Sequence, residues 1–184
     1  MPSASKVKGN KNERDVAASL SAWWGEEFKR TPNSGALRWK GASWTYGDIL
    51  PPESFPAVVE CKHYEGVDLD EVIRCAPTPH NILGWWKETT ADSYRCYSET
   101  ALPVQPILVY KQNRIPRRIV IEAEFFIALG GRGLKLPAFW VSMPEHEPLA
   151  ILDFKSFLET VSRDLFLSSI RKVIPTALVE RIVA

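Results

Sequence analysis

Cysteine is scarce, with three in 184 residues, a small and odd number that gives no disulfide framework and points to reduced thiols. No apolar run approaches the roughly 18 to 20 residues needed to span a bilayer, and residues 1–11 lack the apolar centre of a secretory signal. A cytoplasmic location is the expectation. Internal repeats and long low-complexity tracts are missing too, which leaves one compact unit as the default. No Gly-rich phosphate loop and no Ser-His-Asp pattern is present, so neither nucleotide-loop nor triad chemistry is indicated. Cys75, His80 and Cys96 lack zinc-ligand spacing. Net charge is nearly absent as well: 23 basic residues stand against 22 acidic ones, without the basic surplus common in phosphate binders.

What is present is globular material. Hydrophobic residues make up 45% and charged residues 24%, the balance of a soluble protein that buries a core. The length fits one domain, or one domain with an appendage. The neutral total conceals segregation. Residues 1–40 hold 8 basic and 4 acidic side chains, 41–100 hold 4 and 10, 101–118 hold 4 and 0, and 119–184 hold 7 and 8. Basic segments flank an acidic middle, and a nucleic-acid partner stays open.

Residues 1–9 read as a mobile basic arm. Asn10 followed by Glu13 resembles a capping box. Val16, Ala17, Leu20 and Trp24 recur at helical spacing, which predicts a helix of about 12 to 14 residues ending near Gly25. Extended segments are expected at 26–31, 36–40 and 46–50. The clearest strand is 57–63, whose period of two puts Val58, Glu60 and Lys62 on one face and Ala57, Val59 and Cys61 on the other. A loose connection over 64–84, with a short helix at 69–75, leads to a helix from 85 to about 100. Strands at 106–111 and 117–123 form a hairpin, a further strand covers 138–143, and Asp153 caps a helix over 154 to about 163. The order gives an α/β or α+β domain with a central mixed β-sheet flanked by helices.

Asp48 and Glu60 are separated by 11 residues, and Lys62 leaves the same strand face as Glu60. If the two segments pair, two carboxylates and an ammonium converge. Oxygen-only ligands suit Mg²⁺ or Mn²⁺, and such a metal lowers the pKa of water and neutralises phosphodiester charge during in-line attack. Glu13 falls on the apolar face of its helix, with Ala17, Leu20 and Trp24 one, two and three turns on, so it points toward the interior.

Gly47-Asp48-Ile49 followed by Val58-Val59-Glu60-Cys61-Lys62 resembles the D…ExK motif of the PD-(D/E)xK nuclease superfamily. The order Lys8-Gly9, Glu13-Arg14, Arg30, Ser34-Gly35, Asp48 and the ExK strand is similar to that of archaeal-type and phage Holliday junction resolvases, over roughly residues 8 to 123. Gly47 stands where the superfamily name has Pro, and the Pro-rich connection 63–84 is long. The resemblance implies a restriction-endonuclease-like core over 10–123, with 124–184 as an extension that packs on it or forms a dimer interface. It implies Asp48, Glu60 and the Cys61 carbonyl as metal ligands for Mg²⁺, with Mn²⁺ substituting. Glu13, Asp48, Glu60 and Lys62 become catalytic candidates, with Lys62 orienting water or stabilising the pentacovalent phosphate. Arg30, Ser34, Lys111, Arg114 and Arg117 become DNA contacts. The implied protein is a homodimeric, structure-selective DNA endonuclease acting on branched or four-way DNA, in the host cytoplasm if phage-encoded.

Each residue has a plainer reading. Glu13 is then a capping residue, Asp48 a turn residue before Pro51-Pro52, and Glu60 with Lys62 a surface ion pair. Arg30, Ser34 and the basic hairpin are ordinary solvated surface. Trp23, Trp24, Trp85 and Trp86 read as core, whereas Trp39 and Trp44 lie in a loop beside Arg38 and Lys40. Alternative functions are a restriction, repair or exonuclease activity of the same superfamily, or a non-catalytic DNA-binding module.

Overall fold

The computed structural model describes residues 4–31, 46–66, 81–101, 104–143 and 146–173. The segments expected at 36–40 and 69–75, together with Ser34, Trp39, Trp44, Cys75 and His80, lie outside the described residues.

Helix α1 spans Ala4–Trp24, so residues 4–9, read from sequence as an arm, continue the helix. Asn10 therefore sits inside it and caps nothing; its Oδ1 accepts from Arg30 Nη2 at 3.0 Å. The early turns are held from outside. His63 Nδ1 lies 3.4 Å from the Lys8 carbonyl oxygen, and Lys8 Nζ lies 3.6 Å from Glu65 Oε1. Tertiary docking of this kind outweighs a local start signal.

A small antiparallel ribbon follows, β1 (Lys29–Arg30) with β2 (Ile49–Leu50). Then come β3 (Ala57–Tyr64), α2 (Ile82–Thr100), β4 (Gln105–Gln112), β5 (Arg118–Glu122), α3 (Ala123–Ala128), a 3₁₀ turn at Gly131–Leu134, β6 (Ala138–Met143), β7 (His146–Asp153), α4 (Phe154–Thr160) and α5 (Arg163–Ile170). Among the described residues the main sheet is five-stranded and mixed, ordered β3-β4-β5-β7-β6, with β3 and β4 parallel and the other pairs antiparallel. The parallel pair requires a crossover, and α2 supplies it. This is an α+β architecture consistent with a restriction-endonuclease-like fold.

Strand β7 had no counterpart in the sequence reading, because Pro148 interrupts its apolar pattern. The sheet tolerates that proline where the register between β6 and β7 shifts, past the Val141↔Leu149 pair. Strands β6 and β7 thus share the sheet with the ExK strand, so this part of the extension expected after 123 is continuous with the core at the level of backbone pairing.

Side chains of β4 point alternately into two apolar layers. Ile107 and Val109 join Val16, Leu20, Trp24, Phe55, Val59, Phe157 and Phe166 on the α1 side. Leu108 and Tyr110 join Trp85, Trp86, Val120 and Leu149 on the α2 side. An aromatic cluster centres the first layer, with Phe55 stacked on Phe166 at 5.4 Å and met edge-on by Trp24 at 4.9 Å. Phe166 and Ile170, in the extension for which the sequence leaves core packing and a dimer interface both open, are core residues of the single chain. Among the described residues no helix is long and apolar enough to cross a membrane.

Candidate active site

β3 runs between the two layers, and its alternation sorts the chemistry. Cys61 packs in the α1-side core, whereas Lys62 meets α2, with Nζ 2.7 Å from Glu88 Oε2 and 3.0 Å from Glu60 Oε1. Asp48 reaches the same place from the segment before β2. Its amide donates to the Val59 carbonyl at 2.9 Å, its carbonyl accepts from Thr31 N at 2.9 Å, and its Oδ2 accepts from Cys61 N at 3.0 Å. Backbone and side chain are both fixed, and Asp48 is only 9% exposed.

Gly47 makes that approach feasible. Its φ is +74°, and a Cβ placed there would lie 2.5 Å from the Val59 carbonyl oxygen. Proline, with φ locked near −65°, could not adopt this conformation, which explains the departure from the superfamily name. The Gly47 amide donates to Asp92 Oδ2 at 3.2 Å, and Thr31 Oγ1 donates to the Gly47 carbonyl at 3.1 Å.

Glu13 arrives from α1, buried, with its carboxylate accepting from the Arg30 guanidinium. It therefore points inward as its helical spacing indicates and does not form a capping box. Arg30 is held on both sides, by Glu13 and Asn10. Arg117 is likewise committed within the chain: Nε donates to Asn12 Oδ1 at 2.8 Å and Nη2 to Asp15 Oδ2 at 2.6 Å. Asn12 in turn donates to the Lys62 carbonyl at 3.3 Å, so Arg117 ties the hairpin to α1 beside the ExK strand. Lys111 donates to the Ile115 carbonyl, and Arg114 is exposed at the hairpin tip with φ +64°. Glu13, Arg30, Asp48, Glu60 and Lys62 are brought together; Lys111 and Arg114 sit apart on the hairpin.

The electrostatics follow from crowding. Burial raises the Glu60 pKa to about 8, with the Asp48 charge adding to it and Lys62 opposing it. Burial also raises Glu13, partly offset by its bond from Arg30, and the Asp48 charge pushes the same way as burial. Burial pulls Lys62 down, but the Glu60 charge and the Glu88 hydrogen bond outweigh it and hold the ammonium above the ordinary lysine range. A lysine so held is a poor general base and a good permanent cation.

Sequence reasoning missed Glu88, Asp92, Asn10 and Asn12. Glu88 and Asp92 are one turn apart on α2, beside the buried stripe Trp85, Thr89, Ser93 and Cys96. Their i, i+4 spacing was the available signal. It identifies a helix face, without saying that this face meets β3.

A family described as "phage putative PDDEXK endonuclease" matches residues 4–164. The chain belongs to this family. That makes it a member of the PD-(D/E)xK nuclease superfamily. The match to the PDDEXK endonuclease family extends past residue 123 through β6, β7 and α4, in keeping with their place in the sheet and core. No curated protein and no solved structure matches the chain.

Among the described residues no three His, Cys, Asp or Glu side chains gather into a metal-binding group. Two carboxylates, Asp48 and Glu60, and the Cys61 carbonyl are the available donors. Such a sparse all-oxygen set fits a cation that keeps several waters, as Mg²⁺ does. Burial first and the Asp48 charge second work against an ionised Glu60, with Lys62 offsetting part of this, and a divalent cation would offset more.

Proposed function

We propose that the chain is a Mg²⁺-dependent DNA endonuclease that cleaves branched DNA of the four-way-junction type as a homodimer, with Mn²⁺ able to substitute. The observation that carries this reading is the meeting of Asp48 and Glu60 at the ExK strand, with the Lys62 ammonium 3.0 Å from Glu60. Asp48, Glu60 and the Cys61 carbonyl would hold the cation. Bound there, it would neutralise phosphate charge and acidify water. Lys62 supplies a fixed positive charge to orient water or stabilise the developing pentacovalent phosphate. Glu13, held by Arg30, sits where it can orient water, and releasing Arg30 toward phosphate would require that pair to open. Lys111 and Arg114, on the open hairpin, are proposed phosphate contacts with Ser34 and Arg30, and Arg117, committed to Asn12 and Asp15, is proposed to hold the hairpin against α1 beneath them. The preference for branched substrates rests on the similarity in motif order to Holliday junction resolvases, and the dimer on the need for two matched nicks.

The test is incubation of end-labelled four-way junction, replication fork, nicked duplex and linear duplex with Mg²⁺, using wild type, Asp48→Ala and Glu60→Ala. Paired symmetric nicks near the branch, lost in both variants while junction binding survives, are expected. Cleavage confined to linear duplex, digestion from ends, or unchanged cutting by either variant overturns the proposal.

A further inference from the structure

We infer that Glu88, on α2, is a positioning residue that fixes the Lys62 ammonium, so that α2 aligns both halves of the active site. The inference rests on the nuclease reading of Asp48, Glu60 and Lys62.

Lys62 carries its charge on a flexible four-carbon stem, and two carboxylates restrain it. Glu60, at 3.0 Å, is the one a divalent cation would claim. Glu88, at 2.7 Å, is half-exposed and contributes to none of the metal donors. It is the counter-charge that remains with Lys62 when Glu60 is otherwise engaged. One turn on, Asp92 accepts from the Gly47 amide at 3.2 Å and is bonded by the Arg95 guanidinium. A single turn of α2 therefore grips the ExK strand through Lys62 and the Asp48 segment through Gly47.

The helix that presents this turn is itself firmly set. Asn81 Oδ1 caps its start, accepting from Leu83 N at 3.1 Å and Gly84 N at 3.0 Å. Trp85, Trp86 and Thr89 are buried beneath it. Side chains borne on a rigid, packed helix locate a partner more sharply than side chains on a loop. Glu88 is half-exposed and Lys62 keeps Glu60 as a second partner, so Glu88→Gln leaves no buried charge unpaired and should keep the fold intact while affecting the placement of Lys62.

The experiment compares wild type, Glu88→Gln, Lys62→Met, the double variant and Glu88→Asp. In single-turnover cleavage of labelled DNA with Mg²⁺, Glu88→Gln is expected to slow the chemical step roughly tenfold, a typical cost of losing orientation, with DNA affinity unchanged. Glu88→Gln should cause no further loss in the Lys62→Met background, and Glu88→Asp should recover part of the rate. A loss that adds fully to that of Lys62→Met, or no loss in the wild-type background, overturns the inference. A second reading needs no activity: ¹⁵N relaxation of the Lys62 ammonium in a metal-free Glu60→Gln background, where Glu88 is the counter-charge that remains. Its order parameter should fall from a rigid toward a flexible value in Glu88→Gln, at an unchanged thermal midpoint. An unchanged order parameter overturns the inference even if the wild-type chain cleaves no DNA, an outcome that would count separately against the nuclease proposal.

Discussion

Replacing Glu60 by Gln keeps the side chain's shape and removes its titration. In the folded chain, burial first and the Asp48 charge second raise the Glu60 pKa to about 8, against an ordinary value of 4.5. The folded state therefore retains a proton that the unfolded chain releases. Stability from protonated Glu60 is fully present below pH 4.5 and is lost as pH rises through about 8. Each pKa unit corresponds to about 1.4 kcal/mol, and the pairing with Lys62 shares the load, so the loss is on the order of a few kcal/mol. For a chain of this length each kcal/mol moves the thermal midpoint by roughly 2 to 4 °C, or roughly 5 to 10 °C in all. The assay is thermal unfolding of wild type and Glu60→Gln in chelator from pH 5 to 8.5. The wild-type midpoint should fall relative to the variant as pH rises, and the difference between the curves cancels groups common to both. At pH 8 excess Mg²⁺ should raise the wild type and leave Glu60→Gln nearly unmoved. Parallel curves in chelator would refute the claim that burial and the Asp48 charge outweigh Lys62 and keep the proton on Glu60.

Gly47→Ala should destabilise the chain by on the order of 2 to 4 kcal/mol in urea unfolding, from left-handed strain plus the clash with the Val59 carbonyl, and should abolish cleavage. Gly25→Ala, with φ +82° but open space around it, should cost only about 1 kcal/mol and leave cleavage intact. Arg114→Ala should reduce the slope of log affinity for DNA against log salt by about 0.9. Arg117→Ala, whose guanidinium is already spent on Asn12 and Asp15, should leave that slope unchanged and lower stability by about 1 kcal/mol. Fluorescence titration across salt concentrations checks both.

The legible parts of the chain were those where one local period decides the outcome. The alternation from Ala57 to Lys62 gave the strand, its two faces and the buried Cys61, and the Asp48 to Glu60 spacing gave the carboxylate pair. The start of α1 escaped because Asn10 and Glu13 look like a capping box, whereas contacts from His63 and Glu65 hold the turn at Lys8. Pro148 hid β7 because a proline inside an inner strand is allowed only at an irregularity that sequence does not announce. Glu88 and Asp92 were unreadable as site residues for a related reason: their importance depends on which strand α2 crosses, a long-range fact. Arg117 was legible as a cation, yet its partners lie about a hundred positions away in the chain.

Among the described residues, β3 has a full neighbour, β4, along one side only; along the other, Gly47 and Asp48 stand in for a strand. The Cys61 amide proton goes to the Asp48 side chain, so a carboxylate proposed for the chemistry also serves as a rung of the sheet's outer ladder. Activity and cohesion at this edge are then one quantity. Whatever pulls Asp48 away exposes an unpaired strand, and whatever frays the strand disperses the carboxylates. Deuterium uptake at the Cys61 amide would register both events as a single opening, and the enzyme should lose its catalytic geometry in the same step that makes this edge available for pairing with another chain.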